Sequence, residues 1–215
     1  MDSAANTAQV TVLLFGATRA PATLRDLPAV RVDGTLDLAG DLAPHSRVVV
    51  VGADADLAAV LTGLLRADRL DVEVAYVPRR RTRATRVYRL PAGRRAARRA
   101  RRGAARRVTL LRDETGSVVV GRAGWYPPER GLAVHGEAVV DDTTLFDGEV
   151  AAVHVEPTPA NPGLRARVRG RRWTAGRAAQ LGSTGVSVVR DGVPAARPVR
   201  RSTFYRHVEG WLLVR

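Results

Sequence analysis

Hydrophobic and polar positions along the chain fall into two regimes. In the first, apolar runs of strand length alternate with helical spacing. Val10–Phe15 (V-T-V-L-L-F) is continuous and ends at Gly16, the pattern of a strand buried on both faces. Residues 23–27 predict a helical turn ahead of Pro28, and residues 30–38 contain Asp33-Gly34, a common hairpin turn. Arg47–Val51 then leads through Gly52 to Leu57, Val60, Leu61, Leu64 and Leu65, whose spacing predicts a helix from Asp56 to about Arg66. Residues 71–77 alternate in character and predict a third strand, closed by Pro78. These elements make a βαβ unit with a right-handed crossover, a small Rossmann-like parallel sheet.

From Val108 onward the helical period disappears. Short runs (V-T-L-L, then residues 117–120, 132–140, 148–156, 164–168, 178–181, 186–189 and 211–214) are separated by turn segments such as D-E-T-G, P-T-P-A-N-P-G and R-D-G-V-P. Such punctuation predicts an all-β antiparallel sandwich. The expected division is residues 1–107 as an α/β domain and residues 108–215 as the sandwich. Before the boundary, residues 79–91 (R-R-R-T-R-A-T-R-V-Y-R-L-P) predict a loop with at most a short helix, and residues 93–107 predict a helix. Ala96, Ala97, Ala100 and Ala104 share one face of it, and Arg94, Arg95, Arg98, Arg99, Arg101 and Arg102 cover the rest.

Charge sharpens the picture of this middle segment. The 215-residue chain has 35 basic residues, all Arg, against 21 acidic ones, a formal charge of +14. Between Arg79 and Arg107 there are 14 Arg and no acid, and the rest of the chain is neutral. The excess therefore belongs to one 29-residue segment. An Arg-sheathed helix with only Ala on its apolar side has too little hydrophobic area to insert into a bilayer, yet each Arg near acidic headgroups contributes ~1 kcal/mol. The six helix Arg are thus candidate contacts to an anionic membrane surface or another acidic partner. Nucleic acid fits by charge, but stacking calls for interleaved aromatics, and Tyr88 is the only one in the segment. Pairing with acids of the β half is the structural alternative.

The absence of cysteine excludes disulfides and thiolate sites and leaves a reducing compartment as the default, while permitting others. With no secretory leader and only strand-sized apolar runs, the expectation is a cytoplasmic protein, peripheral to a membrane if the Arg helix docks there. His45, His135, His154 and His207 form no H-E-x-x-H, and neither G-x-S-x-G nor a Walker P-loop occurs. Glu137, Asp141, Asp142, Asp147 and Glu149 read as a solvated edge and turn, or as a metal- or Arg-binding patch. Strand edges in the β half offer a route to a homodimer.

Several short stretches, in order, resemble the diacylglycerol kinase and sphingosine kinase group of lipid kinases, related to NAD kinases. Gly52-Ala53-Asp54-Ala55-Asp56 is similar to that family's G-G-D-G-T nucleotide turn. Val77-Pro78 and Leu90-Pro91 resemble the ends of its next strand and loop, Arg106 to Gly116 (R-R-V-T-L-L-R-D-E-T-G) the opening of its second domain, and Asp191-Gly192 its closing D-G-E. The resemblance implies an α/β nucleotide-binding domain followed by an antiparallel β domain, with ATP and Mg²⁺ as cofactors of an active member and Asp191 as general base.

The departures fall on the chemistry. Ala53 and Ala55 replace glycines that let a backbone approach phosphate, and Asp56 replaces Thr. A carboxylate and a phosphate charge about 4 Å apart repel by ~4 kcal/mol at an effective dielectric of 20, more than the ~0.3–1 kcal/mol of a helix dipole. Asp54 and Asp56 could overcome this by holding Mg²⁺; the other reading makes Asp56 a helix N-cap. Residues 79–84 (R-R-R-T-R-A) lack the family's Gly-Thr and Asn-Asp, leaving Arg79, Arg80, Arg81 and Arg83 as the phosphate-facing candidates. Thr109 and Val193 replace acidic residues, and Asp191-Gly192 also reads as a hairpin turn. The expectation is a lipid-kinase-like protein with degenerate ATP motifs, acting without a cofactor as a binding or regulatory protein. The alternatives are a divergent ATP- and Mg²⁺-dependent lipid kinase and an Arg-rich docking module.

Overall fold

The computed structural model describes residues 10–32, 46–129 and 133–215. The expected turn at Asp33-Gly34 and the residue His45 lie outside them. Among the described residues, the first sheet contains β1 (Val10–Phe15), β2 (Ala29–Val32), β3 (Arg47–Val51), β4 (Glu73–Tyr76), β5 (Ala105–Val108) and β17 (Trp211–Val214), in the order β2-β1-β3-β4-β17-β5. Neighbours are parallel except β17 and β5. Three helices accompany it: α1 (Asp54–Arg66), α2 (Arg83–Val87) and α3 (Gly93–Arg102).

The unbroken Val run of β3 follows from its central place. Val48 and Val50 join the core formed by Leu57, Val60, Leu61 and Leu64 of α1, whereas Val49 and Val51 join Ala96, Ala97 and Ala100 of α3 on the other face. The Ala stripe is therefore buried, and only the Arg side of α3 reaches solvent. The helix stops at Arg102 instead of continuing to Arg107. Gly103 takes an extended conformation, and β5 pairs edge-on with β17, so Arg106 and Arg107 belong to a strand.

The remaining strands form an antiparallel sheet: β6 (Leu111–Asp113), β7 (Val118–Val119), β8 (Ala123–Tyr126), β9 (Val134–Val140), β10 (Thr143–Val150), β11 (Val153–Pro157), β12 (Leu164–Val168), β13 (Thr174–Gly176), β14 (Ala178–Arg190), β15 (Val193–Pro194) and β16 (Val199–Arg206). β14 is one 13-residue strand where two short ones were expected, and it pairs with β8, β9, β15 and β16. Its inward residues Leu181, Val186 and Val188 share a core with Trp125 and Phe204, whose rings lie 5.7 Å apart.

The sequence assigns residues 211–214 to the β half, but β17 completes the first sheet between β4 and β5. Trp211 packs edge-to-face on Tyr88 at 5.4 Å, inside the α1-side core. The chain thus leaves the α/β unit after β5, builds the antiparallel domain, and returns. An apolar tetrapeptide reveals its burial by composition, but not which sheet buries it.

Candidate functional site: a self-engaged turn and an arginine basin

β3 delivers the chain to Gly52 at the carboxyl end of a parallel strand, and α1 begins at once with Ala53 in the N-cap position. Asp56, expected as the N-cap, stands three residues further on. Its Oδ2 accepts the Ala53 N–H at 2.7 Å, satisfying one of the free donors at the helix start. A Cβ at position 52 would collide with this carboxylate, which accounts for Gly52. The place where a helix N-terminus would receive an outside anion is thus held by the chain's own carboxylate.

Asp54 is engaged just as fully. Its Oδ1 accepts the Tyr76 hydroxyl at 2.8 Å and its Oδ2 accepts the Ala84 N–H at 3.1 Å. Burial, then the Asp54 charge, pushes the Tyr76 hydroxyl pKa well up, so Tyr76 remains a donor. Ala84 lies in the first turn of α2, whose cap is reciprocal: Thr82 Oγ1 accepts the Thr85 N–H at 3.2 Å, and Thr85 Oγ1 accepts the Thr82 N–H at 2.8 Å. The two loops that resemble nucleotide loops are therefore tied to each other. Asp54 and Asp56, two apart on one helix, do not share a face. Among the described residues there is no group of three or more His, Asp or Glu side chains that could hold a metal. Mg²⁺ held by Asp54 or Asp56 would have to displace one of the protein donors these carboxylates already accept from.

Asp191 makes the hairpin turn that its sequence suggests. It turns the β14–β15 hairpin with φ 48°, followed by Gly192 at 89°, the left-handed pair of a type I′ turn. Its carboxylate points inward and accepts the N–H groups of Val120 at 2.9 Å, Gly121 at 2.7 Å and Arg122 at 2.9 Å. Burial pushes its pKa up to about 7; the three N–H bonds pull the other way and the Asp54 charge adds to the rise. A Cβ on Gly121 would lie 2.9 Å from Asp191 Oδ1, 2.9 Å from Asp54 Oδ2 and 3.0 Å from Arg83 Cβ. The fold thus gathers Asp54, Asp191 and Arg83 around a glycine that leaves no room for a side chain.

Beside them sits Glu156, which the sequence did not single out. It is 2% exposed and bonds to Arg122 at 2.5 Å, Arg165 at 2.7 Å and Arg83 at 3.5 Å. Burial raises its pKa, but the guanidiniums of Arg165 and Arg122 outweigh that and hold it below the usual carboxylate value. Arg83 belongs to α2 and its partners to the β domain, so Glu156 joins the two. The acid sits in V-H-V-E-P, where nothing local distinguishes it from a solvated edge residue. A cavity of about 300 Å³ opens here, with Arg83, Arg86, Arg89, Arg165 and Glu156 in its wall.

A larger basin of about 1080 Å³ lies on the other side of α2. α3 contributes Arg95, Arg98, Arg99 and Arg102; Arg81, Arg86 and Arg89 come from the α2 region, and Arg215 closes the wall. No Asp or Glu side chain is among the lining residues. Arg94 is exposed outside the basin, as are Arg79 and Arg80. Arg101 turns away and pairs with Asp26 at 2.6 Å. Of the acidic group in the β half, Asp141 accepts the Arg177 and Ala178 N–H groups at 2.9–3.0 Å in a left-handed turn, and Glu149 faces His135 at 3.7 Å.

A sheet of parallel strands joined to an antiparallel domain, with the strand-to-helix turn facing that domain, defines the fold of diacylglycerol kinase-like and NAD kinase-like proteins. The structure is similar to a diacylglycerol kinase from Bacillus anthracis str. Sterne, with a TM-score of 0.70, 10% identity and 96% of each chain covered. It is also similar to an NAD kinase from Archaeoglobus fulgidus in complex with ATP, with a TM-score of 0.62, 11% identity and 96% and 93% of the two chains covered. A third similarity is to yeast NADH kinase complexed with NADH, at 0.58 and 9% identity. No family model and no curated protein matches the sequence. No helix among the described residues is long and apolar enough to cross a membrane.

Proposed function

We propose that this chain is a binding protein built on a lipid-kinase-like scaffold, one that works without phosphoryl transfer and without a resident cofactor, with its Arg basin as the surface for an anionic partner. One observation carries the proposal: both carboxylates of the strand-to-helix turn are engaged by the chain's own donors, Asp56 by Ala53 N–H and Asp54 by Tyr76 and Ala84. A nucleotide phosphate would have to displace a carboxylate from a helix N-terminus and approach past Ala53 and Ala55, and an accompanying Mg²⁺ would have to break bonds the chain itself makes to Asp54 or Asp56. The test is a thermal-shift titration with ATP and Mg²⁺, alongside a phosphorylation assay on dispersed diacylglycerol. No shift at millimolar nucleotide and no product are expected. ATP-dependent product that disappears in Asp191→Ala would overturn the proposal.

A second reading, a divergent ATP-dependent lipid kinase, is favoured by the convergence of Asp54 and Asp191 around Gly121. An Asp191 carboxyl near pKa 7 suits a general base acting on a lipid hydroxyl, with Arg79, Arg80, Arg81 and Arg83 facing the phosphates. It requires the Asp54–Ala84 bond to open on binding. It therefore predicts that ATP with Mg²⁺ raises the melting temperature and that Asp54→Ala strengthens neither binding nor turnover.

A further inference from the structure

The charged residues form a pattern that the sequence does not display. Arg86 and Arg89 stand in the walls of both the large basin and the smaller cavity, so the two adjoin across α2. The smaller cavity reaches Arg165, whose guanidinium lies 4.5 Å from the Trp173 ring centroid, and Arg167 lies 4.4 Å from the same ring. Arg167 is two residues along β12 from Arg165, on the same face. Two segments far apart in sequence, residues 79–107 and 165–173, thus meet in one cationic track that runs from α3 past α2 and onto the β domain, ending at an aromatic ring.

Glu156 is the one acid in its walls, and it already bonds to three Arg. Holding so many guanidiniums together raises the local potential, and a polyanion whose phosphates they neutralise releases its own condensed cations on binding. The shape selects among polyanions. The basin is concave, so a planar bilayer would touch its rim alone. The exposed large apolar side chains among the described residues are Val30, Val193 and Val208, none of them in the track, so nothing there anchors a lipid surface. A duplex carries its phosphates on a convex cylinder too broad to enter. A single strand can bend into the basin, lay successive phosphates on Arg and bring a base to the guanidiniums stacked on Trp173.

We propose that the track from Arg95 to Trp173 binds single-stranded nucleic acid through its phosphates, without sequence preference. The proposal names the partner of the binding protein inferred above and rests on that reading. Fluorescence anisotropy with labelled oligothymidylates of about 5 and about 15 nucleotides tests it, since single-strand sites of this kind span ~4–16 nucleotides. The longer oligomer should bind at least tenfold tighter. With roughly six phosphates contacted, log affinity should fall with log salt at a slope of about −4. Arg95→Glu/Arg98→Glu/Arg99→Glu should weaken both oligomers about a hundredfold, whereas Arg167→Ala/Trp173→Ala should erase only the advantage of the longer one. Arg101→Ala, which removes the pair to Asp26 outside the basin, should leave binding within about twofold, and circular dichroism checks that each variant is folded. The proposal is overturned by absent binding at low salt, by equal or tighter binding to duplex, to polyphosphate or to phosphatidylserine vesicles, or by length independence. If these fail while ATP remains silent, the strand is refuted and the non-catalytic reading stands. ATP-dependent turnover would refute that reading whatever the oligomers do.

Discussion

If Asp56 keeps anions out of the strand-to-helix turn, rebuilding the turn should let them in. The perturbation is Ala53→Gly/Ala55→Gly/Asp56→Thr, with Asp56→Thr alone to isolate the charge. Removing the carboxylate removes a repulsion of ~4 kcal/mol for a phosphate at about 4 Å and an effective dielectric of 20, or ~1 kcal/mol in bulk water. Asp56 is half-buried, so the gain lies between these limits. At 1.4 kcal/mol per decade this is roughly fivefold to a thousandfold in affinity. The same change removes the carboxylate that accepts the Ala53 N–H, costing about 1–2 kcal/mol, and Ala55→Gly in the first turn costs about 1 kcal/mol more. At about 2–4 °C per kcal/mol for a chain of this size, the triple variant should melt about 4–12 °C lower. Calorimetric titration with pyrophosphate and with ATP, paired with melts, reads both effects. A folded triple variant that binds pyrophosphate no better than the parent would refute the idea that Asp56 is the obstacle, as would micromolar ATP binding by the parent.

Three further outcomes follow from the interface between the domains. Glu156→Gln leaves three guanidiniums without their carboxylate and should cost about 3 kcal/mol, the low end for a broken buried pair because Arg83 and Arg165 are 39% and 42% exposed; a loss under about 1 kcal/mol in urea melts at neutral pH would show that the cluster does not join the domains. Because the folded pKa of Glu156 is depressed, its contribution is complete above the unfolded value and is lost as pH falls through the folded one, so the variant should lack this acid limb. Asp191 has the opposite sign: its folded pKa of about 7 lies above the ordinary carboxyl value of 3.8, so stability should decline as pH rises between these values, by up to about 4 kcal/mol, and level off above. A flat profile over that window, or the same slope in Asp191→Asn, would contradict it. Gly121→Ala should destabilise by about 2–3 kcal/mol, since its Cβ meets two carboxylates and Arg83 at 2.9–3.0 Å; a neutral effect in thermal melts would mean that the three elements are not closed on one another.

The local elements of the α/β unit were legible because their patterns are local. The Val run of β3 and the Leu spacing of α1 each state their own burial, and Gly52 marks the turn between them. Where a strand depends on distant partners, the letters failed. β17 looks like any short apolar strand, and only its parallel pairing with β4 puts it in the first sheet. β8 (A-G-W-Y) and β16 (V-R-R-S-T-F-Y-R) carry glycine or arginine at positions that periodicity scores as polar, so neither was anticipated. Within the site, Gly52, Asp54, Asp56 and Asp191 were visible as types at meaningful positions, but their partners were not. Glu156 was missed because its meaning comes from Arg83, Arg122 and Arg165, 9 to 73 residues away.

The same contrast explains how charge is arranged on this scaffold. At a turn that receives phosphate, a carboxylate is a liability unless it has donors of its own, and here each has them: Asp56 the start of α1, Asp54 the start of α2 and the Tyr76 hydroxyl, Asp191 three N–H groups of the β7–β8 connection. The Asp54 bonds tie α1 to β4 and α2, and the Asp191 bonds close the β domain on itself, so opening the turn for a nucleotide means breaking the contact between α1 and α2. The basin Arg, with no Asp or Glu among the described residues that line it, lie instead on the outward sides of α2 and α3, where the buried Ala stripe lets α3 sit flat on the sheet. At the cleft, Asp54 and Asp191 are thus turned inward as structural clamps, while the basin Arg face outward. On the proposed reading, an anionic ligand is drawn to the basin by charge and kept from the turn by the same physics.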